Sequence, residues 1–178
     1  MKRCLALLCV LALAVLGYGY WHGATHGAFS ISLRLAGEKT QGSQILLAGA
    51  EVVLRDTQGL ELARGRMDRR YNFVRLVHPA VGDCQDAEQA AAGSSAGRSA
   101  WQACFEAQSR WIPAWAEKVH SISLSTPGCR WPEIPVKVRT YGPDWLLWWV
   151  PLPHVGGKPY TYYSLSVSLP PPACGANP

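Results

Sequence analysis

An apolar block opens the chain, and alternation follows it. Lys2 and Arg3 precede a run of 13 apolar residues, 4–16, and the stretch free of charge reaches 18 residues when counted from Cys4 through Trp21. Tyr18, Tyr20 and Trp21 form its outer rim. A basic tip, a short apolar core and an aromatic end are the marks of a segment addressed to a membrane. Thirteen residues suit a cleavable core, and eighteen are just enough to cross a bilayer. No Ala-x-Ala is present; Val15-Leu16-Gly17 and Gly17-Tyr18-Gly19 are the nearest cleavage sites. Residues 1–21 are therefore expected to be a signal-anchor, with a signal peptide as the alternative. Ala6-Leu7-Leu8 before Cys9 argues against a lipidated cysteine. Basic residues stay on the cytoplasmic side, so everything after Trp21 is placed outside the cytoplasm.

Residues 22–28 read as a short stalk. Residues 29–35 (Phe-Ser-Ile-Ser-Leu-Arg-Leu) alternate apolar with polar, as a half-buried strand does. Further strands are expected at 45–47, 52–54, 60–66, 71–77, 119–125, 134–141, 144–150 and 160–169. Asp56-Thr57-Gln58-Gly59 carries turn chemistry. The pattern breaks after Pro79. Residues 85–92 and a segment from Ala100, capped by Ser99, read as a helical hairpin inserted at 85–118. Trp101, Cys104, Phe105, Ile112, Trp115 and Val119 recur near one helical face, and Pro113 must kink the second helix or begin another.

The fold class expected is mainly β: an antiparallel β-sandwich, transthyretin-like or Ig-like, over residues 29–174, with a tail at 175–178. Gly49-Ala50-Glu51-Val52-Val53-Leu54-Arg55-Asp56, then Gly59, then Asp68 and Tyr71-Asn72-Phe73, resembles the opening hairpins of transthyretin-like and carboxypeptidase regulatory-like domains. These are small sandwiches used as accessory or interaction modules. The resemblance covers residues 45–78 and lacks the glycine usual between the Asp and the Tyr. It implies a fold and carries no site residues.

The exported part holds Cys84, Cys104, Cys129 and Cys174, an even number in an oxidising compartment. Four cysteines allow three pairings. Cys84–Cys104 would close the insertion and Cys129–Cys174 would pin the C-terminal tail, so that pairing is expected. No C-x-x-C spacing points to a metal. The net charge of +5 falls to +3 once Lys2 and Arg3 are set aside. Arg64, Arg66, Arg69 and Arg70 are interrupted by Asp68 and preceded by Glu61, as on a solvated hairpin. Nothing argues for nucleic acid.

Trp145-Leu146-Leu147-Trp148-Trp149-Val150 is apolar on both faces of a strand. Either it is buried beneath Trp101, Trp111 and Trp115 of the insertion, or it presents aromatics to a partner protein, a glycan or lipid. The Pro- and Gly-rich loop after it brings in His154, Lys158 and Tyr160. The candidate binding residues are therefore Trp145, Trp148, Trp149, His154, Lys158 and Tyr160. His22 and His26 have the spacing of metal ligands on a helix, but Gly23 and Gly27 speak against an ordered helix there. No metal site and no cofactor is expected. His78, Asp83 and His120 could converge at the base of the insertion. Nucleophile-elbow, H-E-x-x-H and phosphate-loop patterns are absent from the sequence, so no catalytic residue is expected. The function expected is a non-catalytic interaction or assembly module of the cell envelope, single-pass in an inner membrane through residues 4–21, with a periplasmic C-terminal domain and a membrane or envelope protein as partner. A carbohydrate- or peptidoglycan-binding module, an envelope enzyme, and a periplasmic or secreted protein freed by cleavage are the alternatives.

Overall fold

The computed structural model describes residues 2–37, 47–68, 73–84, 87, 89, 94–142 and 160–174. Helix α1 spans Lys2–Thr25. Leu, Ala and Val dominate it and no proline interrupts it. Leu5, Leu7, Leu8, Val10, Leu11, Leu13 and Val15 all lie exposed along it. It is long and apolar enough, by length and composition, to cross a membrane. Only its last turns are covered, at Gly19, His22 and Gly23. The segment expected to be a stalk is therefore the end of α1 and the start of β1 (Gly27–Leu35).

The remaining strands are β2 (Glu51–Arg55), β3 (Glu61–Met67), β4 (Val74–Val77), β5 (Ser121–Thr126), β6 (Cys129–Arg130), β7 (Ile134–Pro135), β8 (Arg139–Tyr141), β9 (Thr161–Leu169) and β10 (Ala173–Cys174). They form two sheets. The larger runs β10-β6-β5-β2-β3-β4, with β7 also on β5, and its pairs are antiparallel. The smaller runs β1-β9-β8.

The smaller sheet departs from the all-antiparallel expectation, because β1 and β9 are parallel. Both strands alternate, and the register sets Ile31 on Leu165, Leu33 on Val167 and Leu35 on Leu169, buried residue against buried residue. Their direction is set at the start. The Thr161 N–H donates to the His26 carbonyl at 3.0 Å and its hydroxyl to the Gly23 carbonyl at 2.7 Å. The end of α1 thus anchors the beginnings of both strands. The single strand expected over 134–141 is two short ones that join different sheets: β7 lies on β5 and β8 on β9. Pro135 has no N–H with which to continue the β5 ladder.

One apolar core takes residues from both sheets, among them Leu33, Leu35, Leu165 and Leu169 of the smaller and Val52, Leu54, Ile122 and Leu124 of the larger. Trp131, which follows β6, donates its indole N–H to the Pro170 carbonyl at 3.1 Å, beyond the end of β9. The Asp56 turn forms as its residues require. The Asp56 carboxylate accepts from the N–H groups of Gln58 and Leu60 at 2.8 and 2.9 Å, and Gly59 takes φ 79°.

Helix α2 spans Ser95–Trp111 and continues into 3₁₀ turns at Ile112–Ala114 and Ala116–Lys118. Its cap is Ser94, whose hydroxyl accepts from the Gly97 N–H at 3.0 Å. Ser99, the expected cap, lies a turn inside and donates back to the Ser95 carbonyl. Pro113 opens the first 3₁₀ turn. Ile112, Trp115, Ala116 and Val119 enter the core, whereas Trp101 and Phe105 stay 38% and 41% exposed. The expected apolar face is thus half core and half surface. Of the first helix of the expected hairpin, most residues lie outside those described.

The disulfides are Cys84–Cys104 and Cys129–Cys174, as the sequence predicts. The first ties the chain after β4 to α2. The second joins β6 to β10. Separations of 20 and 45 residues correspond to about 3 and about 4 kcal/mol of chain entropy removed from the unfolded state. Replacing Cys129 and Cys174 together by serine should therefore lower unfolding free energy by about 4 kcal/mol, read from the urea midpoint. A midpoint unchanged from wild type would show that the bridge does not close a folded loop.

Candidate functional site

A cluster of polar side chains lies where α1 meets α2 and β9. The stripe that α1 turns inward is Gly19, His22 and Gly23, and His26 follows one turn after His22. Two buried glycines lie on this face, each at a cost of about 1 kcal/mol in helix propensity. Of the two glycines that argue against helix in the sequence, Gly23 is helical and buried on this face, and Gly27 begins β1. At Gly27 a Cβ would stand 2.8 Å from the Tyr163 ring and 3.0 Å from Ile112.

His22 and His26 are both fully buried. Their rings stack, with centroids 3.8 Å apart and planes within 6°. His26 Nε2 lies 2.9 Å from Glu106 Oε1, across 80 residues of sequence. Arg110 Nε–H donates to the same Nε2 at 3.2 Å, and its Nη2 to Glu106 Oε1 at 3.1 Å. On the other side of the ring, Nδ1 lies 3.1 Å from the His22 carbonyl and 2.8 Å from the Thr25 hydroxyl. The Thr25 hydroxyl proton is directed at the Trp21 carbonyl, 2.8 Å away. The two neighbours of Nδ1 therefore both act as acceptors, and Nδ1 carries the proton. Nε2 thus faces both an acceptor, Glu106 Oε1, and a donor, Arg110 Nε–H.

Tyr160 closes the cluster from β9's side, with its ring edge-on to His22 at 5.2 Å and to Phe105 at 5.9 Å. Burial first, and then the Glu106 carboxylate, push its phenol pKa above the ordinary value, so Tyr160 remains protonated at neutral pH. Phe105 stacks in turn on Trp101 at 5.7 Å. Trp21 stands beside His22 and His26 at 6.4 and 5.8 Å. Ring contacts thus run from the rim of α1 through the buried His22 to Tyr160 and on to the exposed Phe105 and Trp101 of α2.

Chemically, the cluster offers two imidazoles and a carboxylate whose ligand atoms all lie within 4.8 Å of one another, with a guanidinium at the rim. The sequence pointed to His22 and His26 through their spacing. It held no sign of Glu106 or Arg110, which are ordinary helix-surface residues until the fold returns them to α1.

Of the expected binding residues, Tyr160 is brought to this site. Trp145, Trp148, Trp149, His154 and Lys158, with the strand expected at 144–150, lie outside the described residues. His78 and His120 sit apart. His78 follows β4, accepts from the Ala80 N–H through Nδ1 and packs on Trp111 at 5.0 Å. His120 precedes β5 and lines a shallow depression with Asp56, Thr57, Gln58, Glu117, Lys118 and Val119. Strands β3 and β2 intervene between β4 and β5, so three interstrand spacings, about 14 Å, separate these backbones. Asp83 lies between the His78–Gly82 bridge and Cys84, on the His78 side. Of the arginines of that hairpin, Arg64 meets Glu51 and Glu61 at 2.8 and 3.0 Å, and the neighbouring Arg75 of β4 meets Asp68 at 2.7 Å. No protein-family model, curated protein or solved structure matches this chain.

Proposed function

We propose that this protein is a non-catalytic interaction module of the cell envelope, held by α1 in a membrane with its folded part on the extracytoplasmic side, and that its partner is a protein of the same membrane. We read the fold as a transthyretin-like or Ig-like β-sandwich, the membrane as a bacterial inner membrane and the compartment as the periplasm. The observation that carries the reading is the exposed Trp101–Phe105 stack, which meets Tyr160 beside the end of α1. The stretch from Cys4 through Trp21, 18 residues, is about 27 Å of helix, close to the roughly 30 Å of a hydrocarbon core. On this reading Trp21 stands at the outer interface with the aromatic face just above it, where a neighbouring membrane protein would present its own extracytoplasmic surface. Lys2 and Arg3 on the cytoplasmic side and two disulfides beyond it agree with this orientation.

A photo-crosslinking residue placed at 101 and at 105 in living cells tests the reading. One adduct of the same mass is expected at both positions and not at Glu61, which lies on the larger sheet. The captured species should be an integral membrane protein. No adduct at 101 and 105 would overturn the proposal. The same stacked pair has the form of a sugar platform, so tryptophan emission that shifts saturably with peptidoglycan fragments, and no longer does so in Trp101→Ala, would move the assignment to glycan binding. N-terminal sequencing of the mature chain should return Met1 or Lys2; a start at Tyr18 or Tyr20 would remove the tether.

A further inference from the structure

We propose that His22, His26 and Glu106 form a binding site for a divalent transition-metal ion, with Arg110 as the competing cation that a metal displaces. Three observations converge on it. First, the ligand atoms of these side chains lie within 4.8 Å of one another, and both histidines are fully buried. Second, the His26 tautomer is the one a metal requires. Nδ1–H is held by the His22 carbonyl and the Thr25 hydroxyl, which turns Nε2 toward Glu106; such outer partners are what orient metal-ligating imidazoles. Third, Nε2 and Glu106 Oε1 stand 2.9 Å apart, so an imidazole nitrogen and a carboxylate oxygen already face one point, and the Arg110 guanidinium lies against both.

Arg110 is well suited to giving way. Its side chain is 61% exposed, against 1% for His26 and 28% for Glu106. It therefore sits at the mouth of the site, and the route past it leads directly to Glu106 and His26. Two imidazoles and one carboxylate suit Zn²⁺, and Co²⁺ or Ni²⁺ as surrogates, better than the oxygen-seeking Mg²⁺ or Ca²⁺. The stacked rings run parallel, so binding through both requires His22 to turn about its Cβ–Cγ bond and splay from His26. A bound ion would join the last turn of α1 to α2, and so fix the membrane helix against the domain. The site stands whether or not the aromatic face takes a protein partner.

The test is a Co²⁺ and Zn²⁺ titration of the full chain in nanodiscs, with Cys4 and Cys9 replaced by serine so that their exposed thiols do not contribute. One equivalent of Co²⁺ should bind and develop visible d–d absorption, and Zn²⁺ should displace it. Glu106→Gln and His26→Ala should weaken binding about 100-fold or more, and Thr25→Val about 10-fold through the tautomer. Arg110→Met should tighten binding, the opposite direction. Near-ultraviolet circular dichroism establishes that each variant is folded. Should His26→Ala fail to fold, the Glu106→Gln and Arg110→Met pair still decides. Titrations indistinguishable between wild type and Glu106→Gln would overturn the proposal, as would weaker binding in Arg110→Met.

Discussion

His26→Ala should destabilise the protein by about 3 kcal/mol and release the end of α1 from the domain. The ring is fully buried. Its loss removes the contacts of Nε2 with Glu106 and Arg110, those of Nδ1 with the His22 carbonyl and Thr25, and the stack on His22. It also leaves a cavity between α1 and α2 that neither helix can close without moving. For a domain of this size the melting temperature should fall by about 6–12 °C. Amide exchange should quicken most in the last turn of α1 and in α2, because these two elements share the lost contacts. It should quicken least in β2 and β5, at the far side of the core. The measurement belongs in chelator, so that the loss of packing is read apart from any loss of metal. A melting temperature within about 2 °C of wild type, which is less than about 1 kcal/mol, would mean that the histidine is not part of the junction that holds the two helices.

Gly65→Ala should be strongly destabilising. Gly65 lies in the middle of β3, between Val52 of β2 and Leu76 of β4. A Cβ there would come 2.5 Å from the Arg75 carbonyl oxygen and 2.7 Å from a Val74 methyl. The oxygen belongs to the backbone of a paired strand, so relief requires β4 to move off β3. A loss of about 3 kcal/mol or more is expected, seen as a lower urea midpoint. Gly27→Ala is the control. Its clashes, at 2.8–3.2 Å, are all with side-chain atoms of Tyr163, Ile112 and Pro113. Rings and methyls can shift where a ladder carbonyl cannot, so the control should cost less. Equal costs at the two positions would show that backbone crowding is not what selects glycine at 65.

The strands β5 and β9 were legible because each places apolar residues on alternate positions and buries those positions, and β2 because Val52-Val53-Leu54 is a short apolar, β-branched block. The turn at Asp56 and the two disulfides were legible for similarly local reasons: an Asx side chain with glycine three residues on, and cysteines bracketing an excursion and a tail. The apolar helix was legible from its composition. The α2 cap was misplaced by five residues because Ser94, Ser95 and Ser99 are chemically equivalent candidates in one polar stretch, and which one starts the helix depends on where Cys104 must meet Cys84.

What the sequence determined by itself is the apolar N-terminal helix, the β-rich body and its cysteine pairs, since burial of an alternating face and closure of a loop are properties of nearby residues. What only the tertiary structure decided is direction and long-range company. Alternation in β1 and β9 is the same whichever way the strands run, and they run parallel because Thr161 is bonded to the end of α1. Glu106 and Arg110 acquire a partner 80 and 84 residues away only when α2 folds back on that end. A hydrophobic pattern states which face is covered and not by what. The buried histidine cluster exists because the chain returns to the helix from which it started.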